Sequence, residues 1–355
     1  MNQDKIINLT DALDKLRNKK SRIFFLTMDT KGIAKASIAY NYEIVKCLIN
    51  LGYNASIMHE KEDYQSVESW LGKEFSEIPH SSIESKDVKV EISDLVIVPE
   101  VFGHVLDQIK TMPCERMVMC QSYDYILETL PPGMTWPVYN VHRGITTSDA
   151  QKEMINSLMP TVQMETVKLY IPDYFKKSSK PQPPLISIHT RDPRDTMKII
   201  KSFYLKFPQY KWITFKDLRN LSREKFANDL SQTCTAVWVD DISGWGTFPL
   251  EAMKCGVPII GKVPNLKPEW MTDENGIWTY EFNKIVDILG SFVNKWLEDE
   301  VPNQLYEAME NTIKDYTYES FESSVSDLFK SINERKTQEV RINLEKLTPV
   351  GAEQN

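Results

Sequence analysis

Apolar positions near the start of the chain recur at Ile6, Leu9, Leu13 and Leu16, the spacing of one helix face, before the sequence turns basic at Arg17, Lys19, Lys20 and Arg22. This stripe predicts a leading helix packed on the protein; a helix lying on a membrane surface is the alternative, and the shortness of the stripe counts against it. From Arg22 onward the period changes. Short apolar-rich runs stand at Ile23 to Leu26, Ala55 to Met58, Leu95 to Val98, Met117 to Cys120 and Tyr139 to Val141. Each has the length of a buried strand, and helical or polar stretches separate them, as in the helix that runs to Asn50 with Gly52 as its stop. Alternation of this kind predicts a parallel sheet covered by helices.

The stretch 176–184, KKSSKPQPP, has no apolar residue, and its serines and prolines oppose regular pairing, so it is expected to link two domains. Beyond it the alternation restarts. Strands are expected at Leu185 to Ile188, Lys211 to Phe215, Ala236 to Val239 and Val257 to Gly261, with helices around Met197 to Phe207, Ser222 to Gln232 and Phe248 to Cys255. The chain therefore reads as two doubly wound α/β domains, and a cleft at the carboxyl ends of both sheets is the expected ligand site.

The segment richest in chemistry is Asp240 to Gly261, DDISGWGTFPLEAMKCGVPIIG. Gly244 and Gly246, flanking Trp245, let backbone N–H groups approach a diphosphate, and the helix opening near Thr247 aims its positive end at that anion. Glu251, in the first turns of this helix, is placed to accept hydrogen bonds from two vicinal ribose hydroxyls. Singly, the glycines are ordinary turn residues and Glu251 a solvated carboxylate. The whole run from Ser243 to Pro258, set between two strands, favours the nucleotide.

That run resembles the signature of the glycosyltransferase group 1 family, the retaining GT-B enzymes, in Gly244, Trp245, Gly246, Glu251, Ala252, Met253, Cys255, Gly256, Val257 and Pro258. Asn265 to Glu269 (NLKPE) is similar to the family's Gly-Gly-x-Pro-Glu loop, and Glu274-Asn275-Gly276 to its E-N-G turn. Tyr316 to Phe321 resembles the aromatic segment that leads into a last helix crossing back to the first domain, and Leu221 to Asp241 has the family's spacing before the donor strand. The likeness covers about residues 185–331 and fades before the linker, where the acceptor would be bound. It implies a GT-B fold of two Rossmann-like domains facing across a cleft. Residues 1–175 would be the acceptor side, 176–184 the linker and 185–310 the nucleotide-sugar domain; 311–335 would be the crossing helix and 336–355 a mobile tail. It further implies retaining transfer from a nucleotide-diphosphate sugar to a hydroxyl of a glycan, lipid or small molecule, with no cofactor or metal required.

Two departures stand out. Where the family has a second glutamate, eight positions before Glu251, this chain has Ser243, and Asp240 and Asp241 are the candidate replacements. Only Gly32 represents the family's glycine pair in the first-domain loop TMDTKGIAKAS. The departing diphosphate also needs positive charge. In HTRDPRDTMK the resemblance points to Arg194 first, then Arg191, with Lys198 third; the alternative pairs these arginines with Asp192 and Asp195 on a solvated loop. Gln121 or Ser122 would occupy the place of a family histidine, with Asp124 a further polar contact.

The histidines His59, His80, His104, His142 and His189 form no H-E-x-x-H or Cys/His metal pattern; His189, close to Arg191, is the one to test first. A formal charge of −8 provides no net basic field for a polyanion. DNA carrying hydroxymethylated bases is kept as an acceptor only through local groups, Lys176, Lys177, Lys180 and Arg17 to Arg22. A non-catalytic nucleotide-sugar module that has lost the acid at Ser243 is another alternative, and an epimerase of the same architecture a further one. The cysteines Cys47, Cys114, Cys120, Cys234 and Cys255 form no C-x-x-C pair. With no signal-like leader and no apolar window long enough to span a bilayer, the expectation is a cytoplasmic chain with reduced thiols.

Overall fold

The computed structural model describes residues 2–85, 88–180 and 182–348. Its leading helix α1 (Asn2–Arg17) is followed by β1 (Arg22–Leu26), α2 (Ala36–Asn50), β2 (Asn54–His59), the short α3 (Glu68–Leu71) and α4 (Lys73–Ser76), and β3 (His80–Ser82). Then come β4 (Leu95–Pro99), α5 (Gly103–Ile109), β5 (Glu115–Cys120), α6 (Asp124–Thr129), β6 (Arg143–Thr146), α7 (Asp149–Leu158) and β7 (Gln163–Thr166). These strands form one parallel sheet in the order β3-β2-β1-β4-β5-β6-β7.

The second half contains β8 (Leu185–Thr190), α8 (Pro193–Lys206), β9 (Thr214–Asp217), α9 (Arg223–Ser231), β10 (Thr235–Val239), α10 (Thr247–Lys254), β11 (Ile259–Lys262) and β12 (Ile277–Thr279). Its sheet, also parallel, has the order β12-β11-β10-β8-β9. Helices α11 (Ile285–Leu297), α12 (Asn303–Ile313) and α13 (Tyr318–Leu347) close the fold. The central strands β4 and β10 are buried throughout, which is why they read as continuous apolar runs.

The chain thus has the expected two doubly wound domains, with some boundaries moved. Tyr139 to Val141, expected as a strand, belongs to a 3₁₀ turn from Trp136 to Tyr139 closed by left-handed Asn140, and pairing begins only at Arg143. Pro137 accounts for this, because it presets a helical φ and has no N–H for a ladder. In the same way the turn at Pro208 to Tyr210 delays β9 to Thr214. The stretch expected as a linker carries no helix or strand where it is described, Pro181 lying outside the described residues. Residues 336–347, expected in a mobile tail, continue helix α13, whereas 349–355 lie outside the described residues.

Helix α13 lays Phe321, Val325, Phe329 and Ile332 into the core of the first sheet, with the Phe25 and Phe329 rings 6.4 Å apart. Near its far end, Val340 and the neighbouring leucines pack on Leu9, Leu13 and Leu16 of α1. The stripe on α1 is therefore spent on the protein's own last helix. Among the described residues no helix is long and apolar enough to cross a membrane.

Candidate active site

Each sheet has one place where its strand order changes direction, between β1 and β4 in the first and between β8 and β10 in the second. Ligands of open α/β folds bind outside the carboxyl ends of strands at such points. The loop leaving β10, Asp240 to Gly246, meets the first domain directly. Ser122 Oγ, just past β5, donates to the Ile242 carbonyl at 2.6 Å. Ser148 Oγ and Gln151 Nε2, at the start of α7, donate to the Gly244 carbonyl at 3.1 and 3.2 Å. Asn265 reaches Asp124 at 3.0 Å, and Glu269 of the NLKPE loop accepts the Asp149 N–H at 3.3 Å.

These contacts add to the part expected of the glycines. Besides the amide it offers a phosphate in that reading, Gly244 lets the two domains touch. A Cβ added there would lie 2.3 Å from the Gln121 carbonyl and 2.4 Å from the Gln151 side chain. Gly246 adopts a left-handed φ of 75° as the residue before α10, and its N–H already donates to Ser243 Oγ at 3.0 Å. Trp245 is buried edge-on against Tyr316, with its carbonyl held by the Trp270 indole at 2.6 Å. What the loop leaves open are Asp240, Asp241, Ser243 and Thr247, all half-buried.

Of the three basic candidates, the structure brings Arg191 to this loop. It pairs with Asp240 at 3.4 Å and donates to the Tyr125 hydroxyl of α6, spanning the two domains. Arg194 does not join it: its side chain is 85% exposed and bonded to Asp192, the capping residue of α8. Lys198 pairs with Asp195 on the same helix. The alternative of a solvated Arg194–Asp192 pair thus describes the structure, because Asp192 caps the helix and holds the guanidinium two residues on. Lys262, at the end of β11, supplies a cation that sequence reasoning missed and pairs with Asp241 at 2.6 Å.

His189 stacks on Phe248 of α10 at 4.9 Å, and burial pushes its pKa down to about 4, so the ring is neutral at ordinary pH. Gly32 sits in the exposed loop after β1 with φ 74° and faces Gln65 and Ser69 of its own domain. Gln121 and Ser122 lie at the domain contact, their amides held by the buried carboxylate of Glu100 at 3.0 and 2.9 Å.

Glu251 lies beneath the start of α10, 9% exposed, and burial pushes its carboxyl up to about 8 against the opposing charge of Arg223. Arg223, the first residue of α9, donates to Glu43 of α2 at 2.8 Å; Glu43 also accepts from Tyr170 at 2.8 Å. Neither Glu43 nor Arg223 was anticipated. One signal was present for Glu43: an acid between Tyr42 and Ile44 in an apolar helix needs a buried partner. A groove of about 870 Å³, lined by Ile277, Ile288, Phe292 and Leu305, lies apart from this site, at the β12 edge of the second sheet.

Comparison with known proteins agrees with this architecture. No family model matches the chain. An alpha-1,6-glucosyltransferase of Actinobacillus pleuropneumoniae is 25% identical over 278 residues, which span 75% of this chain and 83% of that protein. Sucrose-phosphate synthase of Thermosynechococcus elongatus superposes with a TM-score of 0.61 at 12% identity, over 89% of this chain and 100% of that one. The pneumococcal O-GlcNAc transferase GtfA, solved in complex with UDP and GlcNAc, gives 0.60 at 9% identity, over 89% and 99%. At such identities the solved structures establish the fold and the sequence relative the class of activity: the chain has the GT-B fold and is a glycosyltransferase.

Proposed function

We propose that the chain is a retaining glucosyltransferase that takes glucose from a nucleoside diphosphate, with uridine as the base, and attaches it to a hydroxyl of a saccharide. The observation that carries this reading is the convergence of Arg191 and Lys262 on the Asp240–Asp241 loop that leads into α10 at the carboxyl ends of the second sheet, a loop held against the first domain by Ser122. The name of the Actinobacillus relative supports glucose and an α-1,6 linkage, and the UDP in the GtfA complex supports the uridine carrier. Nucleoside diphosphate glucose carries an α bond, so an α-linked product means net retention.

The chemistry follows from charge. As the glycosidic bond breaks, negative charge grows on the leaving diphosphate, which Arg191, Lys262 and the first-turn amides of α10 offset. Asp240 and Asp241 stand in for the carboxylate that Ser243 lacks and accept hydrogen bonds from the sugar. The acceptor attacks from the face the diphosphate leaves, and a leaving phosphate oxygen takes its proton. No protein nucleophile is needed.

A DNA acceptor gains nothing from the structure. Arg22 stands at the end of β1 opposite the cleft and is bound to Asp94 at 2.6 Å, while Lys177 packs against Gly256 and Tyr306. The test is turnover of UDP-, GDP-, ADP- and TDP-glucose with glucosyl acceptors, reading the product's anomeric configuration by NMR. An α-glucoside formed from UDP-glucose is expected. A β product, a trapped glycosyl-enzyme, or binding without turnover of any nucleotide sugar would refute it.

A further inference from the structure

Resting on Arg191 as the cation that meets the leaving diphosphate, we propose that Glu100 is a positioning residue for the donor site. Buried in the first domain, it fixes the turn at Ser122, and that turn sets both groups that aim the Arg191 guanidinium.

The contacts start where β4 ends. Glu100 opens the 3₁₀ turn Glu100–Phe102 and is 5% exposed. A carboxylate so placed is costly unless its oxygens are bonded. Its Oε1 accepts from the backbone N–H groups of both Gln121 and Ser122, at 3.0 and 2.9 Å. Its own carbonyl accepts from Thr129 Oγ1 at 2.9 Å, and the same hydroxyl lies 2.7 Å from the Tyr125 carbonyl. The acid is therefore tied through both its backbone and its side chain, and the turn after β5 is held from inside the first domain.

Two routes lead from that turn to Arg191. By the first, Ser122 Oγ crosses to the second domain and donates to the Ile242 carbonyl at 2.6 Å. The Ile242 N–H donates to Asp240 Oδ1 at 3.3 Å, and that oxygen also receives Arg191 Nη1 at 3.4 Å. By the second, the Ser122 carbonyl accepts the Tyr125 N–H at 3.3 Å in the turn that opens α6, and the Tyr125 hydroxyl accepts from Arg191 Nη2. Both partners of the guanidinium are thus referred to one serine and, through its amide, to one buried acid. Two of the five N–H donors are used in this way, which fixes the plane of the group and the direction in which the others can meet phosphate oxygens. Glu100 itself touches neither sugar nor phosphate; it acts through where Arg191 points.

The test is a double-mutant cycle on kcat/KM for the nucleotide sugar, run on the full chain. Glu100→Ala should lower it about fivefold, and Glu100→Gln, whose side-chain oxygen can take both amides, should stay within about twofold of wild type. In an Arg191→Ala background the Glu100→Ala loss should shrink below about twofold, because the group it aims is gone. Losses that multiply in the double variant, or a Glu100→Gln as poor as Glu100→Ala, would overturn the proposal. Should Glu100→Ala fail to fold, Ser122→Ala carries the same cycle with the same expectation. A second readout needs no substrate: amide exchange across residues 240–246 should quicken in Glu100→Ala and keep its wild-type rate in Glu100→Gln, and exchange unchanged in both sinks the idea. Failure of the underlying reading looks different, since Arg191→Ala alone would then leave use of the nucleotide sugar intact while exchange still responded to Glu100.

Discussion

At the scale of single residues, the decisive difference lies between two arginines three positions apart. Arg191 crosses from the end of β8 to Tyr125 and Asp240, whereas Arg194 is bound to the cap of its own helix and faces solvent. Arg191→Ala should lower kcat/KM for the donor at least tenfold, about 1.4 kcal/mol or more, as expected for losing a charge-assisted contact. Arg194→Ala should stay within about threefold of wild type, since its charge is screened by water. Steady-state kinetics with varied nucleotide sugar distinguishes them; equal losses would return Arg194 to the site. Sequence spacing could not separate these two, because capping by Asp192 is a local geometric event. The Gly244 contact was hidden for a related reason: a glycine needed for close approach looks the same whether a phosphate or Gln151 approaches.

At the scale of elements, α10 and the strands around it were legible because buried parallel strands are continuous apolar runs and the helix start carries glycines. The short edge strands β3, β7 and β12 were not, since three or four residues at an edge have too little pattern to show a period. The extent of α13 was missed because its C-terminal part is mostly polar, with Val340, Leu344 and Leu347 as the apolar marks of its contact with α1. Its inner half is a structural anchor. Phe329 is 2% exposed between Phe25 and Tyr53, so Phe329→Ala should cost about 3–5 kcal/mol through the cavity left behind. Chemical denaturation would check this; a loss below about 1 kcal/mol would mean that the neighbours close the gap.

At the scale of the whole molecule, buried acids and imidazoles set how stability responds to pH. Burial raises Glu251 to about 8 and Glu100 to about 7, so the folded chain keeps protons that an unfolded carboxyl has lost above 4.5. Their contribution is complete below that value and disappears as pH rises through 7 and 8. His59 and His189 work in the opposite sense: lowered from 6.5 to about 4 by burial, they cost stability as pH falls below 6.5. Thermal unfolding should therefore be highest near pH 6.5 and decline toward 8.5. Glu251→Gln should flatten the decline toward pH 8 and leave the curve below about 4.5 unchanged; parallel curves for the two proteins would contradict this assignment.

One feature of the topology reaches back to how the chain is made. The first sheet is threaded early, yet the core around Phe25, begun by α2, is completed by Phe321 to Ile332 only after the entire second domain. While the ribosome is still delivering the middle of the chain, that core stays greasy and unfinished. The second domain can collapse on its own strands, but the first must wait for α13 to complete its core, and in that interval chaperones would find it.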